Sequence, residues 1–301
     1  MIYTTRFGSR PSTVLFKYLI QWANTARVLV REKPDAVFVM SPPLFAALPA
    51  FWYAWRCRKV VLLDAHSGAF LNARWKRFQW LQRAMCRRAA GTLVHNEHVA
   101  SIVERLGGHP IMVPDVPIVF PESHTFSRPE GFLVAAVCSF NYDEPIDSIL
   151  NAAAQLPDIQ FRMTGNPKHL DPALAAGMPS NVKLTGFLST ADYGALLKSA
   201  DVVLTLTTLD HTMLRGAWEA IYQGTPVVVS DWPILRREFA SGAMHVRNTV
   251  DEIVTAVRTI KAAPQEYRAG ARDLRRKKLE RWRAVRAKIE SRLRSSEGVQ
   301  T

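Results

Sequence analysis

Apolar positions along this chain come in two spacings: short β-branched runs, and longer stretches of helical period. Pro11–Glu32 sets Leu15, Tyr18, Leu19, Trp22, Ala26 and Leu29 on one face, which predicts a helix that ends at Pro34. Ala36–Met40 predicts a strand, Phe45–Trp55 an apolar helix kinked at Pro49, and Val60–Leu63 a second strand. Strands over 91–95 and 111–113 flank a helix over 97–106. Residues 114–130 hold four prolines and no periodicity, the pattern of a linker. A second set follows, with strands at 132–137, 159–163, 181–185, 201–206, 225–230 and 244–246. Its helices fall at 145–155, 189–199, 213–222 and 249–262. Strands alternating with helices predict parallel sheets. Two such sets predict two Rossmann-like domains, 1–125 and 126–265, with a basic helical segment over 266–301.

The chemistry gathers in residues 201–239. A buried strand ends at a polar break, Thr207–Thr212, and a helix follows from Met213 to Tyr222, stopped by Gln223-Gly224. Asp231 is placed to cap the next helix, with Pro233 in its first turn. In open parallel sheets, ligands sit at the carboxyl ends of strands against helix N-termini. Thr207, Thr208, Asp210, His211, Thr212 and Arg215 collect at such an end. Arg215, with the backbone amides at Thr212–Met213, suits a diphosphate. Glu219, one turn on, suits a ribose. The same spacing equally describes an i,i+4 ion pair of Arg215 with Glu219, and both readings stand.

GAWEAIYQGTPVVVSDWP, residues 216–233, resembles the nucleotide-sugar signature of GT-B glycosyltransferases, in particular the family 4 type. That resemblance implies the GT-B fold, two Rossmann-like domains facing across a cleft. It implies sugar transfer from a nucleotide-diphosphate sugar, with retention of configuration and no metal cofactor; the inverting alternative would need a general base, a role open to Asp210, His211 or His66. Glu219 matches the glutamate that binds the donor's ribose. The family's first glutamate would fall at position 211, where this chain has His211 beside Asp210. The version here, DHTMLRG, looks like a distinct branch in which Asp210, His211 or Arg215 takes over that contact with the transferred sugar. His66, in Asp64-Ala65-His66-Ser67-Gly68, corresponds to a histidine that faces the donor sugar; a hydrogen-bonded structural histidine is the alternative.

Other strand ends add weaker candidates. His95-Asn96-Glu97 is either cleft-lining or a helix cap, and Asp115 is a turn residue. Gly165 and Asn166 fit a nucleotide-facing loop, and Gly186-Phe187-Leu188 resembles the family's base-stacking segment. Plain β–α turns explain both equally well. The family usually places an arginine and a lysine after the first strand of this domain. Ser139–Glu144 has neither, and its Asp143 and Glu144 have the wrong sign for phosphate.

Composition narrows the partners. The 301 residues carry a formal charge of +13, which selects anionic partners. Three scattered cysteines argue against a disulfide framework or zinc site and suit the reducing cytoplasm. No signal peptide is visible at Met1–Arg10, and Pro42–Trp55 is too short to span a bilayer. Between Arg268 and Arg294, twelve Lys or Arg stand against three acids. Arg74–Arg88 mixes six cations with Trp75, Phe78 and Trp80. A basic helix with exposed aromatics would lie on an anionic membrane through Trp75, Arg77 and Trp80, as a lipid-linked acceptor would require. The alternative packs Phe78, Leu81 and Met85 inward and leaves the cations solvated. No nucleic-acid-binding motif appears. Beside the transferase stand two alternatives, a nucleotide-sugar epimerase and an inactive GT-B-fold protein bound to an anionic membrane.

Overall fold

In the computed structural model, residues 14–65, 69–70, 73–210 and 212–297 are described. His66 and His211 therefore lie outside the described residues, as do Met1–Arg10. The chain divides into two compact units: residues 1–116 with 281–301, and residues 117–280. The first division falls inside the proline-rich segment and the second inside the basic helix, rather than at 125/126 and 265/266.

The first unit holds a parallel sheet in the order β1 (Ala36–Ser41), β2 (Val60–Ala65), β3 (Gly91–Val94), β4 (Pro110–Met112). Helices α1 (Val14–Glu32), α2 (Leu48–Cys57), α3 (Gln79–Arg88) and α4 (Glu97–Arg105) accompany it. Pro49 does not kink α2. A 3-10 turn over Leu44–Ala47 comes first, and Pro49 occupies the opening turn of the α-helix, where its missing N–H costs no bond. Leu63, Met85, Val94, Val99 and Val103 form one buried cluster of this unit. Leu62, Ile111 and Val113 form another, with Ile289 from the chain's last helix. Each such aliphatic side chain contributes about 1.5–3 kcal/mol on burial.

The second unit's sheet runs β10 (Ala243–Val246), β9 (Val227–Ser230), β8 (Val202–Thr205), β5 (Phe132–Ala136), β6 (Ile159–Thr164), β7 (Val182–Gly186), all parallel. Its central strands are buried throughout, which is why they read as unbroken apolar runs. Helices α5 (Ile146–Ala154), α6 (Pro172–Ala176), α7 (Thr190–Ser199), α8 (Arg215–Gln223), α9 (Pro233–Glu238) and α10 (Val250–Ala262) connect the strands. Strand order reverses between β5 and β8, so the crevice beyond their carboxyl ends is where such a sheet admits a ligand. Asn181 fastens the approach to β7, its buried amide donating to the carbonyls of Ala153, Leu156 and Ile159 at 3.0, 2.8 and 2.9 Å.

The long helix α11 (Pro264–Glu297) serves both units in turn. Ala271 and Leu274 are buried in the second unit, and Ile289 in the first. Trp282, Val285 and Leu293 pack around Ile289, so the thin apolar stripe of this basic helix belongs to the core. No helix among the described residues is long and apolar enough to cross a membrane.

Candidate functional site in the second unit

A cleft of about 430 Å³ opens at the carboxyl ends of β5, β6 and β7. Cys138 and Ser139 line it after β5, Gly165 and Asn166 after β6, and Phe187 after β7. Gly165 is required here. Its φ is +110°, and a Cβ would stand 2.7 Å from the Cys138 carbonyl oxygen. Thr164 locks the neighbouring turn, its hydroxyl accepting from the Cys138 amide at 3.1 Å. Asn166 accepts from the Lys168 amide at 3.2 Å and so caps the short turn that carries His169 to the rim. Phe187 follows a glycine at φ +65° and is 84% exposed, an unusual place for a large apolar ring. Burial pushes the Cys138 thiol well above the ordinary cysteine range, so it lines the cleft as an uncharged group.

Tyr193 joins this cleft to Glu219. Its ring lines the cleft from α7, and its hydroxyl donates to Glu219 Oε2 at 2.6 Å. Glu219 Oε1 accepts from Arg215 Nε at 2.8 Å. The ion pair allowed by the spacing therefore forms, but it is lopsided: the Glu219 side chain is 9% exposed and that of Arg215 80%. A carboxylate that deep needs the buried Tyr193 donor to offset its lost hydration, while the exposed Arg215 adds a solvent-screened pair on the other oxygen. Burial and the facing carboxylate raise the Tyr193 phenol far above its usual range, so it remains a neutral donor. The start of α8 presses on the cleft wall, since a Cβ on Gly216 would lie 2.8 Å from Val137 Cγ1.

Expectations about the starts of α8 and α9 are corrected, α8 first. It begins at Arg215 behind Leu214, so Thr212 and Met213 are half-buried lead-in residues rather than its first turn. Leu214 supplies no side-chain cap, because leucine has no acceptor; its carbonyl instead takes the Ala217 amide at 3.1 Å. Asp210 sits in the turn before this lead-in. Asp231 does not cap α9; Trp232 holds that position, and Asp231 makes a two-pronged pair with Arg236 instead.

The acids after β5 are also not free. Glu144 accepts from the Ser139 amide at 3.0 and 2.9 Å and from the Asn141 amide at 3.1 Å. Asp143 accepts from Thr207 Oγ1 at 2.9 Å, and its carbonyl takes the Thr208 amide at 2.7 Å. Asp143 thereby joins the β5 and β8 loops across the reversal point, and Glu144 braces the β5 loop itself. Ser230 and Asn248 complete the clamp on Thr207. Its amide donates to Ser230 Oγ at 2.8 Å, and its carbonyl accepts from Asn248 Nδ2 at 2.9 Å. Tyr193, Asn248 and Trp232, whose indole also donates to the Thr207 carbonyl, gave no sequence signal. Each acts from a distant element.

The first unit places its candidates differently. Asn96 caps α4, accepting from the Val99 amide at 2.9 Å. His95 Nδ1 lies 2.8 Å from the Val113 carbonyl, and its Nε2 3.4 Å from Asp64 Oδ1. Asp115 is more than a turn residue: it is buried and accepts from Arg281 at 3.0 Å. The expected basic helix over Arg74–Arg88 is a 3-10 stretch, Ala73–Phe78, followed by α3. Trp75 is buried against Phe45 and Phe78, so it cannot be a surface contact; Arg77 and Trp80 are exposed.

A glycosyl transferase-like family model matches residues 147–288, which include the Tyr193–Glu219 pair. No curated protein matches the chain. Solved structures do. Sucrose-phosphate synthase from Thermosynechococcus elongatus superposes with a TM-score of 0.66 at 15% identity, covering 98% of this chain and 82% of that one. HepE from Anabaena, solved with UDP-glucose, gives 0.64 at 15% identity, covering 95% and 84%. The glycotransferase of kitacinnamycin gives 0.58 at 17% identity, covering 97% and 85%. With its two parallel α/β units, the chain has the GT-B glycosyltransferase fold.

Proposed function

We propose that this chain is a glycosyltransferase that takes a nucleotide-diphosphate sugar in the second unit's cleft and passes the sugar to an acceptor. The observation that carries this reading is the path from Phe187 and Gly165 through Tyr193 to the buried, doubly bonded Glu219. Phe187 offers an exposed ring for a base. Glu219 accepts the ribose hydroxyls by exchanging its present donors. Arg215 and the uncapped first turn of α8 receive the diphosphate, where negative charge grows as the sugar leaves. His66, Asp210 and His211 attend the transferred sugar, as the family 4 resemblance implies. The HepE structures with UDP-glucose and with UDP support a nucleotide-sugar donor by fold alone.

Calorimetry with UDP, GDP and ADP tests the reading. One nucleotide binds, and Glu219→Ala weakens it by about 1–3 kcal/mol, the loss of a charged hydrogen-bond partner. Binding that is indifferent to Glu219→Ala refutes the donor-site assignment. Transfer with retention is read by NMR from the anomer of the product, and a chelator leaves the rate unchanged. Conversion of a nucleotide sugar to its epimer without any acceptor would establish the epimerase instead.

A further inference from the structure

The two basic helices of this protein differ in one respect that their composition conceals. In α11 several cations have acids within reach: Arg286 meets Glu290 at 2.7 Å, Lys277 meets Asp273 at 2.8 Å, and Arg276 is paired as well. In α3 there is nothing to pair with. From Ala65 to Asn96 the chain has no Asp or Glu. Among the described residues, Arg77, Arg83, Arg87 and Arg88 have no acidic partner, and all four are exposed. Trp80 stands beside them, 68% exposed.

These side chains share one face. Trp80, Arg83, Ala84, Arg87 and Arg88 are spaced i, i+3, i+4, i+7 and i+8, and together they line an open hollow of about 380 Å³. The opposite face, Gln82, Met85 and Cys86, is buried, so the helix cannot turn its indole inward. Mutual repulsion of three guanidinium groups and exposure of an indole both disfavour this surface in isolation. An anionic, partly apolar plane relieves both.

We infer that the α3 face docks on an anionic bilayer, with Trp80 at the headgroup level and Arg83, Arg87 and Arg88 on lipid phosphates. Clustered cations are drawn to an anionic leaflet, and an indole among them settles at the headgroup level. A nucleic-acid groove instead interleaves cations with several stacking rings. Trp75, sealed in the core, takes no part. The inference stands apart from the donor-site reading and survives its failure.

Vesicle co-sedimentation of the full chain tests it, with phosphatidylcholine alone or mixed with phosphatidylglycerol. The chain pellets with the anionic vesicles, high salt releases it, and zwitterionic vesicles leave it in solution. Arg83→Gln and Arg87→Gln each lower the partition coefficient about fivefold. Trp80→Ala lowers it further, and Arg286→Gln on α11 leaves it unchanged. Equal binding to both vesicle types, indifference to Arg83→Gln and Arg87→Gln, or an equal loss with Arg286→Gln overturns the inference. So does displacement from the vesicles by a duplex oligonucleotide at equimolar phosphate.

Discussion

Tyr193 Oη stands 2.6 Å from Glu219 Oε2, and this single bond ties the wall of the cleft to the carboxylate that the family resemblance singles out. It also makes a stability prediction. Tyr193→Phe leaves a buried carboxylate oxygen without its donor, at a cost of about 1–3 kcal/mol in unfolding free energy. Urea titration measures it. An unchanged midpoint would mean that Glu219 is hydrated and not held as described.

Arg215 is the opposite case. Its side chain is mostly in solvent, so Arg215→Gln changes stability by no more than about 0.5 kcal/mol. Its effect belongs to ligands: the variant binds a nucleoside as the wild type does, but loses about 1.5–3 kcal/mol for the nucleoside diphosphate. Paired calorimetric titrations separate the two. Equal losses for both ligands would remove Arg215 from the diphosphate site.

Gly194 marks where the proline-rich segment is seated on the second unit. A Cβ there would lie 2.2 Å from Phe120 Cβ, and the Phe120 ring packs edge-on against Tyr193 at 5.6 Å. Ser123 and Thr125 fasten the same segment by donating to Asp192. Gly194→Ala is expected to cost about 1–3 kcal/mol by overpacking. Phe120→Ala in the same chain recovers part of it, so a double-mutant cycle gives a coupling well away from zero. Additive losses would show that the two positions do not meet.

His95 makes stability depend on pH. The hydrogen bond to Asp64 raises its pKa above the usual 6.5, burial opposes this, and the Val113 carbonyl adds to the rise. A pKa raised on folding means that the charged form is favoured in the native state. That stabilisation is complete below about pH 6.5, the unfolded value, and is lost as pH climbs through the folded pKa. Asp64→Asn should flatten this decline in a series of urea titrations across neutral pH. A slope identical to that of the wild type would sink the assignment.

What the chain's own pattern determined was the alternation of strands and helices, the break at the prolines, and the Glu219 helix ending at Gly224. These follow from local physics: a buried parallel strand must be apolar at nearly every position, and a helix must stop where a glycine admits φ > 0. The tertiary structure alone decided which side chains meet. Tyr193 reaches Glu219 from 26 residues away because β8 places α7 and α8 side by side. Glu144, which reads as an obstacle to phosphate, is engaged by loop amides. Trp75 and Trp80, five residues apart, part company because a 3-10 turn gives way to an α-helix between them, burying one ring and exposing the other. Hydrophobic period is encoded residue by residue. Partnership among polar groups depends on distances across the fold, which no spacing along the chain expresses.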